Sequence, residues 1–460
     1  MLRVSSLLAV AIATAAGAAT AGEGGTSRPD VILYVVDTLR ADSLGCYGAR
    51  GIRTPAFDRL AAEGARFPRA YAASSWTRTS VASLVTGLDP IAHGVHGRDD
   101  LLGPTIPVLT DGFRAAGYTT AFLVTNPNVG SAFGFGRAFD ELLEPYARRA
   151  PGVVDSSELA VRSAEATRLA LAWLARTPRP RFLAVLVIDP HEPYQPQDPP
   201  RALFAGCDRA AADGSLAGIA RAARGGDADF EAIRALYRAT VEDTDASFGA
   251  LVESLRAAGT LDDTVVAVTA DHGQELWDHG NHGHGRTLFE ESIRVPLVIR
   301  YPPRVSPGQV LGRLARGVDV LPTLLDLARI GVPAVDGHSL AAALEGTPGR
   351  GQSVGSADDV AYASLDFEGR SLLAVIGYPW KLIRDRVDGG EVFGDLAVDP
   401  AGRMRWVPRT STPDVRVAHE RLVALAERYL AREPAPRTRV PAGAVEPAIR
   451  DRLRALGYAQ

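Results

Sequence analysis

The stretch Val31–Asp37 reads V-I-L-Y-V-V-D, a run of six apolar residues that stops at an aspartate. An apolar run without alternation is typical of a strand buried on both faces of a parallel sheet. Similar runs, each followed at once by polar residues, return at Phe182–Ile188 and Thr264–Thr269. Amphipathic segments such as Pro55–Gly64 and Phe230–Ala258 separate the runs and have a helical pattern. The sequence therefore predicts an α/β fold, with a mostly parallel central sheet sandwiched between helices.

Other segments extend this alternation of strands and helices. Further helices are predicted near Ile106–Gly117, Ser156–Arg176 and Val318–Ile330, and further strands at Thr119–Val124 and Val295–Arg300. The segment Cys207–Asp229 is rich in alanine, glycine and arginine without clean periodicity, which predicts an excursion on the surface.

The pattern changes after about Gly351. Short strands are predicted at Leu372–Ile376, Trp380–Arg384 and Val392–Leu396, followed by a helix at Val415–Arg432. This order predicts a small antiparallel α+β subdomain at 351–433, beside a catalytic domain at 28–345. Residues 434–460 are interpreted as a proline-rich linker and a terminal helix at Pro447–Gly457.

The amino terminus has the pattern of a secretory signal peptide. Arg3 precedes an apolar run from Ser6 to Thr20, and Ala19-Thr20-Ala21 matches a small-x-small cleavage site. We expect residues 1–21 to be removed and the mature protein to be exported, to the periplasm or beyond the cell. An uncleaved amino-terminal anchor is the alternative.

Composition excludes several classes of partner. A net charge of −4 over 460 residues gives no electrostatic reason to expect nucleic acid. No apolar run after the amino terminus reaches the length of a membrane span, so we expect none in the mature chain. Cys46 and Cys207 could form one bridge, which the sequence does not decide.

Polar residues follow three of the predicted strands directly. These residues are Asp37, Asp189-Pro190-His191 and Asp271-His272-Gly273. The carboxyl ends of parallel strands meet at one edge of a sheet, and ligands of open α/β sheets bind in the crevice there. For Asp37 alone, an ordinary helix cap is the alternative. The three positions together predict a binding site at this edge.

A stretch of hydroxyl side chains provides a candidate nucleophile. Ser74–Gly87 reads S-S-W-T-R-T-S-V-A-S-L-V-T-G, which predicts a helix with a polar first turn. A hydroxyl there lies beside free backbone N–H groups, which favour an oxyanion or an activated nucleophile. The alternative is an N-cap followed by a buried helix without chemistry. The two carboxylates, one imidazole and a hydroxyl such as Thr77 would form a site for a divalent ion.

The loop Asp271–Glu290 contains four histidines among glycines, which is rare for a purely structural loop. A metal-scavenging surface loop is the alternative. His191, flanked by two prolines, would be a general acid or would bind an anion.

Short motifs follow one another through the chain in a specific order. They are Val36–Asp42 with Leu44–Gly48, Thr54-Pro55 to Phe67, Ser83–Gly87, Asp189–Tyr194, Asp271–Gly273, His284-Gly285 to Glu291, Arg294–Pro296, Val318–Leu325, and Asp395-Leu396 with Asp399-Pro400. In this order they resemble the motifs of the sulfatase family, in the alkaline-phosphatase-like superfamily. The resemblance covers nearly all of the mature chain.

The resemblance implies one divalent ion at the nucleophile, usually calcium or magnesium, although manganese and zinc stay open. Asp37, Asp271 and His272 fall at its metal-ligand positions. His191 and His284 fall where the family binds the anionic oxygens of the substrate or protonates the leaving group.

The nucleophile motif departs from that of sulfatases, which is Cys/Ser-x-Pro-x-Arg with a tail ending in Thr-Gly. Counting back from Thr86-Gly87 places Thr77 at the nucleophile, Thr79 at the proline and Val81 at the arginine. Threonine cannot be oxidised to the formylglycine that sulfatases use. We therefore predict that Thr77 is itself both the nucleophile and a metal ligand.

Other positions of the family pattern also differ. Thr38 replaces a second aspartate ligand, and Asn126 and Asn128 stand about where a lysine and a histidine are expected. Because those cations hold sulfate, their loss favours a phosphate or phosphonate ester. We assign Asn126, Trp76 and Arg286 to substrate binding.

The resulting hypothesis is an exported, metal-dependent ester hydrolase acting on small-molecule or glycan esters of phosphate, phosphonate or sulfate. One alternative is a phosphoryl-group transferase, because Trp76-Thr77 resembles phosphoglycerol and phosphoethanolamine transferases. A sulfate-ester hydrolase without formylglycine is another, and a catalytically inactive protein that binds anionic ligands is a third.

Overall fold

The computed structural model describes residues 28–148, 161–197, 213–346, 359–402, 412–441 and 443–458. Three predictions concern residues outside these ranges: the signal peptide at 1–21, the pairing of Cys207, and the beginning of the helix at Ser156–Arg176.

Strands and helices alternate along the described chain. The strands are β1 (Asp30–Val36), β2 (Ala65–Arg66), β3 (Ala70–Tyr71), β4 (Asp100–Leu101), β5 (Thr119–Val124), β6 (Glu141–Leu143), β7 (Arg181–Val187), β8 (Thr264–Ala270), β9 (Glu275–Leu276), β10 (His282–Gly283), β11 (Arg294–Val295), β12 (Leu297–Arg300), β13 (Gln309–Val310), β14 (Ala315–Arg316), β15 (Ala361–Phe367), β16 (Arg370–Gly377), β17 (Trp380–Asp385), β18 (Glu391–Asp395) and β19 (Thr438–Arg439). The α-helices are α1 (Pro55–Glu63), α2 (Thr77–Thr86), α3 (Pro90–His93), α4 (Thr110–Ala115), α5 (Ser163–Arg176), α6 (Leu216–Ala222), α7 (Asp227–Ala257), α8 (Glu290–Ile293), α9 (Val320–Leu327), α10 (Ala341–Leu344), α11 (Pro413–Leu430) and α12 (Pro447–Ala455).

The central sheet has the spatial order β13-β2-β12-β8-β1-β7-β5-β6. The strands from β8 to β6 run parallel, whereas β12 runs antiparallel to both β8 and β2. Every residue of β1, β7 and β8 is buried, which is the reason for their unbroken apolar sequences. The predicted α/β fold with a mostly parallel sheet is confirmed.

Aromatic side chains attach helices to both faces of this sheet. Tyr34 of β1 lies 5.1 Å from Phe248 of the long helix α7, measured between ring centroids. Phe182 of β7 stacks on Phe113 of α4 at 4.4 Å. Successive side chains of a strand point to opposite faces, so these two contacts cover opposite sides of the sheet.

Some elements differ from their predicted bounds. The strand predicted at Val295–Arg300 is divided at Pro296 into β11 and β12, because proline has no N–H to donate to a ladder. The helix predicted at Ile106–Gly117 corresponds to α4, which is shorter than predicted. Strand β15 was not predicted; its backbone joins the main domain, where the Ser364 N–H donates to the carbonyl of Ala73 at 2.9 Å.

The antiparallel strands β15–β18 form a second sheet in sequential order, as the predicted subdomain requires. Helix α11 covers one face of this sheet, with Tyr429 stacked on Tyr362 at 4.8 Å. Among the described residues, no helix is long and apolar enough to cross a membrane.

A buried ion pair joins this second sheet to the main domain. Lys381 of β17 is fully buried, and its Nζ lies 2.8 Å from Oε1 of Glu290 in α8. The hydroxyl of Tyr71 donates to the other carboxylate oxygen of Glu290 at 3.3 Å. The two domains therefore share a largely buried charged contact.

Replacing Lys381 by alanine should destabilise the protein strongly. The change leaves the Glu290 carboxylate buried without its cation, which costs about 3–5 kcal/mol. The midpoint of urea unfolding measures the loss. The matched control is Arg454→Ala, whose partner Asp451 is exposed and whose loss should cost only about 0–1 kcal/mol. Equal midpoints for the two variants would contradict the prediction.

Candidate active site

Adjacent strands of the central sheet bring the predicted carboxylates together at their carboxyl ends. Val36 of β1 lies beside Val187 of β7 and beside Ala270 of β8 in the sheet register. The chain therefore leaves the sheet at Asp37 and Asp271 side by side. Both side chains are fully buried.

Helix α2 presents Thr77 to these carboxylates. The helix begins at Thr77, with Trp76 as its N-cap, and all ten of its residues are buried. Its small and apolar residues allow it to pack on every side. The expected buried helix is therefore present, and its first residue, rather than Ser74 or Ser75, faces the carboxyl ends of the strands.

Four side chains surround one point at the start of α2. Oγ1 of Thr77 lies 3.1 Å from Nε2 of His272. The same Nε2 atom lies 3.5 Å from Oδ2 of Asp271 and 3.8 Å from Oδ1 of Asp37. These two carboxylate oxygens are buried, and neither has a hydrogen-bond partner in the described part of the chain. Unpartnered carboxylate oxygens beside an imidazole and a hydroxyl fit a divalent cation.

The protonation of His272 follows from its backbone contact. Its Nδ1 lies 2.8 Å from the carbonyl oxygen of Gly273, which can only accept a hydrogen bond. Nδ1 therefore carries the proton, and Nε2 presents a lone pair toward Thr77. This is the form of histidine that binds a metal ion.

Burial disfavours the ionised forms of both carboxylates. Burial and then the neighbouring Asp271 carboxylate raise the pKa of Asp37 to about 7, and burial raises the pKa of Asp271 to about 7. Two ionised carboxylates so close together and so far from water need a compensating charge. A divalent cation provides that charge.

His191 and His284 form a second group beside the first. Their ring centroids are 4.8 Å apart, and Nδ1 of His191 faces the backbone carbonyl of Glu192. Nδ1 of His284 donates to Oε1 of Gln274 at 3.1 Å, since the amide nitrogen of Gln274 donates to the hydroxyl of Tyr194. Both imidazoles therefore keep Nε2 available, and that of His191 is buried and unpartnered.

The side chains of His191, Glu192 and His284 also offer ligand atoms within 4.8 Å of one another. Burial, followed by the neighbouring imidazoles, holds the pKa of His284 well below its usual range. Burial therefore favours the neutral form of His284.

Two of the three predicted substrate-binding residues lie at the nucleophile. Nδ2 of Asn126 donates to Oδ2 of Asp37 at 2.6 Å. The Trp76 ring stacks on Phe367 at 3.9 Å and lies 6.1 Å from the His284 ring. Asn126 therefore orients a carboxylate, and Trp76 forms an aromatic wall.

The loop Asp271–Glu290 divides its polar residues between this site and the surface. His279 lies away from the nucleophile, with Nδ1 2.5 Å from Oε1 of Glu291. Arg286 is exposed and lines a surface pocket together with Glu368. Of this loop, His272 and His284 therefore lie at the site, whereas Arg286 lies on the protein surface.

One residue of the site, Tyr458, was not predicted from the sequence. Its hydroxyl lies 2.7 Å from Nδ2 of Asn126 and 3.4 Å from Oγ1 of Thr77. Gly457 after a helical pattern predicts a turn, but nothing local indicates where the turn leads.

Arg78 was also missed, although a charged residue inside a stretch of small side chains is a signal. The side chain is buried, and burial lowers its pKa to about 9. Its Nε donates to the carbonyl of Asn128 and its Nη1 to that of Asp100, both at 2.9 Å. Arg78 therefore connects two loops to the helix that begins at Thr77.

A family model described as Sulfatase matches residues 29–330. The chain belongs to the sulfatase family. A second model, N-sulphoglucosamine sulphohydrolase C-terminal, matches residues 278–405 of this sulfatase-family hydrolase. Enzymes of the family bind a divalent metal ion, and the cradle of Asp37, Asp271 and His272 offers ligands for one.

Named relatives act on different esters. The N-acetylglucosamine-6-O-sulfatase of Bacteroides thetaiotaomicron is 24% identical, over 74% of this chain and 75% of that protein. Human arylsulfatase A is 29% identical, over 73% of this chain and 70% of that protein. The crystal structure of the phosphonate monoester hydrolase of Agrobacterium radiobacter matches with a TM-score of 0.69 at 22% identity, over 88% of this chain and 95% of that one. This last likeness concerns the fold alone.

Adding a divalent cation to the chelator-treated protein should raise its thermal midpoint. A ligand that binds only the native state stabilises it by about 2.7 kcal/mol at one hundred times its Kd. Calcium, magnesium, manganese and zinc are compared by calorimetry. Asp37→Asn and Asp271→Asn should abolish the shift, whereas the same change at the exposed Asp388 should leave it intact. A full shift in both site variants would place the cation elsewhere.

Proposed function

We propose that this sulfatase-family protein is a metal-dependent hydrolase of anionic esters in which Thr77 is the nucleophile. The proposal depends on one observation. Oγ1 of Thr77 lies at the start of a buried helix, 3.1 Å from His272 Nε2 and beside two unpartnered carboxylate oxygens. This is the arrangement that activates an otherwise weak hydroxyl nucleophile.

Asp37, Asp271 and His272 would hold the cation, which when bound lowers the pKa of a hydroxyl and offsets the charge of an anionic ester. Asn126 keeps the carboxylate of Asp37 in position through its 2.6 Å hydrogen bond. The free N–H groups at the start of α2 add positive potential where the ester oxygens would lie.

His191 and His284 are placed to move the proton of the leaving group. His191 directs its Nδ1 to the carbonyl of Glu192 and His284 directs its Nδ1 to Oε1 of Gln274, so each leaves Nε2 free to carry a proton to the leaving group. One of these Nε2 atoms, carrying a proton taken from water, would donate it to the departing oxygen while Thr77 Oγ1, which releases its own proton to water, bonds to the central atom of the ester. Water then hydrolyses the covalent ester on Thr77 and regenerates the hydroxyl.

Phosphate and phosphonate esters are the preferred substrates. Thr77 cannot form the aldehyde of sulfatases, and Val81 stands where the family has the arginine that anchors that residue. Neutral Asn126 and Asn128 stand about where the family has cations that hold sulfate. Small-molecule and glycan esters are both open as substrates. Sulfate esters are the second candidate, since named relatives of the chain are sulfatases.

Thr77→Ala should lower turnover of 4-nitrophenyl phosphate by at least about 10³-fold, because the covalent step loses its nucleophile. Thr77→Ser should retain measurable turnover. The control is Thr79→Ala on the same helix, since Thr79 donates only to the carbonyl of His96 and should change turnover little. Parallel assays on aryl phosphonate, phosphodiester and sulfate identify the ester.

Wild-type turnover in Thr77→Ala would refute the assignment of the nucleophile. Transfer of phosphoryl groups to added alcohols, without release to water, would instead favour a transferase. Binding of anionic glycans without cleavage of any ester would favour an inactive binding protein.

We also propose export through the segment 1–21. Expression with the natural amino terminus in a secreting host should yield a mature chain beginning at Gly22, because the small residues at Ala19 and Ala21 fit signal peptidase. Mass spectrometry of the intact protein measures the start. Ala21→Trp should block the processing, and a chain that keeps residues 1–21 in the membrane fraction would indicate an anchor.

A further inference from the structure

Tyr458 lies between the proposed nucleophile and the space that a substrate needs. Its phenol oxygen is 3.4 Å from Oγ1 of Thr77 and accepts a hydrogen bond from Nδ2 of Asn126 at 2.7 Å. Thr77 is fully buried and Tyr458 is 4% exposed. The central atom of an ester must approach Oγ1 to about 3–3.5 Å, which is the distance the phenol oxygen already occupies.

Helix α12 and the turn after it hold the phenol there. Gly457 has a φ of +80°, and the Tyr458 N–H donates to the Leu453 carbonyl at 2.8 Å while the Gly457 N–H donates to that of Arg454 at 3.0 Å. These two bonds form a Schellman motif, which closes the helix and reverses the chain. The Arg98 guanidinium also donates to the carbonyl of Tyr458. The phenol is thus placed by specific contacts.

Aromatic rings line the place where the phenol lies. The Tyr458 ring is 4.9 Å from His191, 5.5 Å from Trp76 in an edge-on arrangement and 5.9 Å from His284. His191 and His284 are the residues positioned to protonate a departing oxygen. A ring at this position brings a phenol oxygen to Thr77 and an aromatic ring to the two imidazoles, as an aryl leaving group would.

A cavity of about 330 Å³ adjoins Tyr458 on its other side. Trp76, Arg78 and Asn128 line it from the main domain, and Val445 and Leu453 line it from the segment 443–458. It lies between that segment and the main domain. The displaced ring of Tyr458 therefore has space to enter without unfolding helix α12.

We propose that Tyr458 occupies the leaving-group subsite, and that the natural substrates are aryl esters which compete with this resident phenol. The inference rests on the proposed hydrolase function and adds the chemical class of the alcohol. A phenol has a pKa of about 10, so it departs with less help from an acid than an alkyl alcohol does. The segment 443–458 thereby limits access for esters that cannot displace the tyrosine.

The test compares the metal-loaded full chain with Tyr458→Ala, using 4-nitrophenyl phosphate and, as an alkyl ester, glycerol 2-phosphate. A tethered occupant acts at a millimolar effective concentration, so its removal should lower KM for the aryl ester about tenfold without lowering kcat. Arg454→Ala, on the exposed side of α12, is the control and should match the unaltered protein. Loss of kcat in Tyr458→Ala would make the phenol a working part of the site and overturn the proposal.

Direct binding separates this inference from the hydrolase proposal. By calorimetry, 4-methylphenol should bind Tyr458→Ala about tenfold more tightly than the unaltered protein. If no variant hydrolyses any ester, this binding difference would still support the phenol subsite while the hydrolase proposal fails. Absence of 4-methylphenol binding to Tyr458→Ala, or a higher kcat/KM for glycerol 2-phosphate than for 4-nitrophenyl phosphate in that variant, would overturn the aryl assignment.

Gly457→Val gives an independent variant that keeps the phenol. A β-branched residue is strained at a φ of +80°, so the turn should open and Tyr458 should leave the site. The change in KM should have the same direction as in Tyr458→Ala. An unchanged KM, with circular dichroism showing a displaced α12, would contradict the proposal.

Discussion

The site depends on the close burial of two carboxylates, Asp37 and Asp271, at the ends of neighbouring parallel strands. Their ionised forms repel each other and have no water to solvate them, so the fold is stable around them only with protons or a cation present. The contacts around the two carboxylates favour a cation rather than protons. One oxygen of Asp37 accepts from Asn126, whereas its other oxygen faces the cradle without a donor.

The strands that carry these carboxylates were predictable because a strand buried on both faces has an unbroken apolar sequence. A strand covered on both faces must be apolar throughout, and its end is marked by the first polar residue. For β1 and β8 this residue, Asp37 or Asp271, lies at the candidate site, since parallel strands align their carboxyl ends. After β7 the first polar residue is Asp189, which accepts hydrogen bonds from Ser163, and His191 follows two residues later. The positions of these side chains at one sheet edge thus follow from the sequence.

Contacts between distant segments were not predictable in this way. Gln274 lies two residues beyond His272, yet its role depends on Tyr194 from another segment and on His284 ten residues further along the same loop. Arg286 shows the opposite case, because a charged residue close in sequence to His284 lies at the surface. Along an irregular loop no periodicity indicates which side chains point inward, so spacing alone could not separate His279 from His284.

The turn at Gly457 has a practical consequence for work with this protein. An affinity tag added after Gln460 would begin three residues beyond Tyr458, close to a side chain that contacts Thr77. Such a tag would place foreign residues beside the contact under measurement. A tag inserted directly ahead of Arg28 lies far from that turn in the sequence and leaves it chemically unmodified.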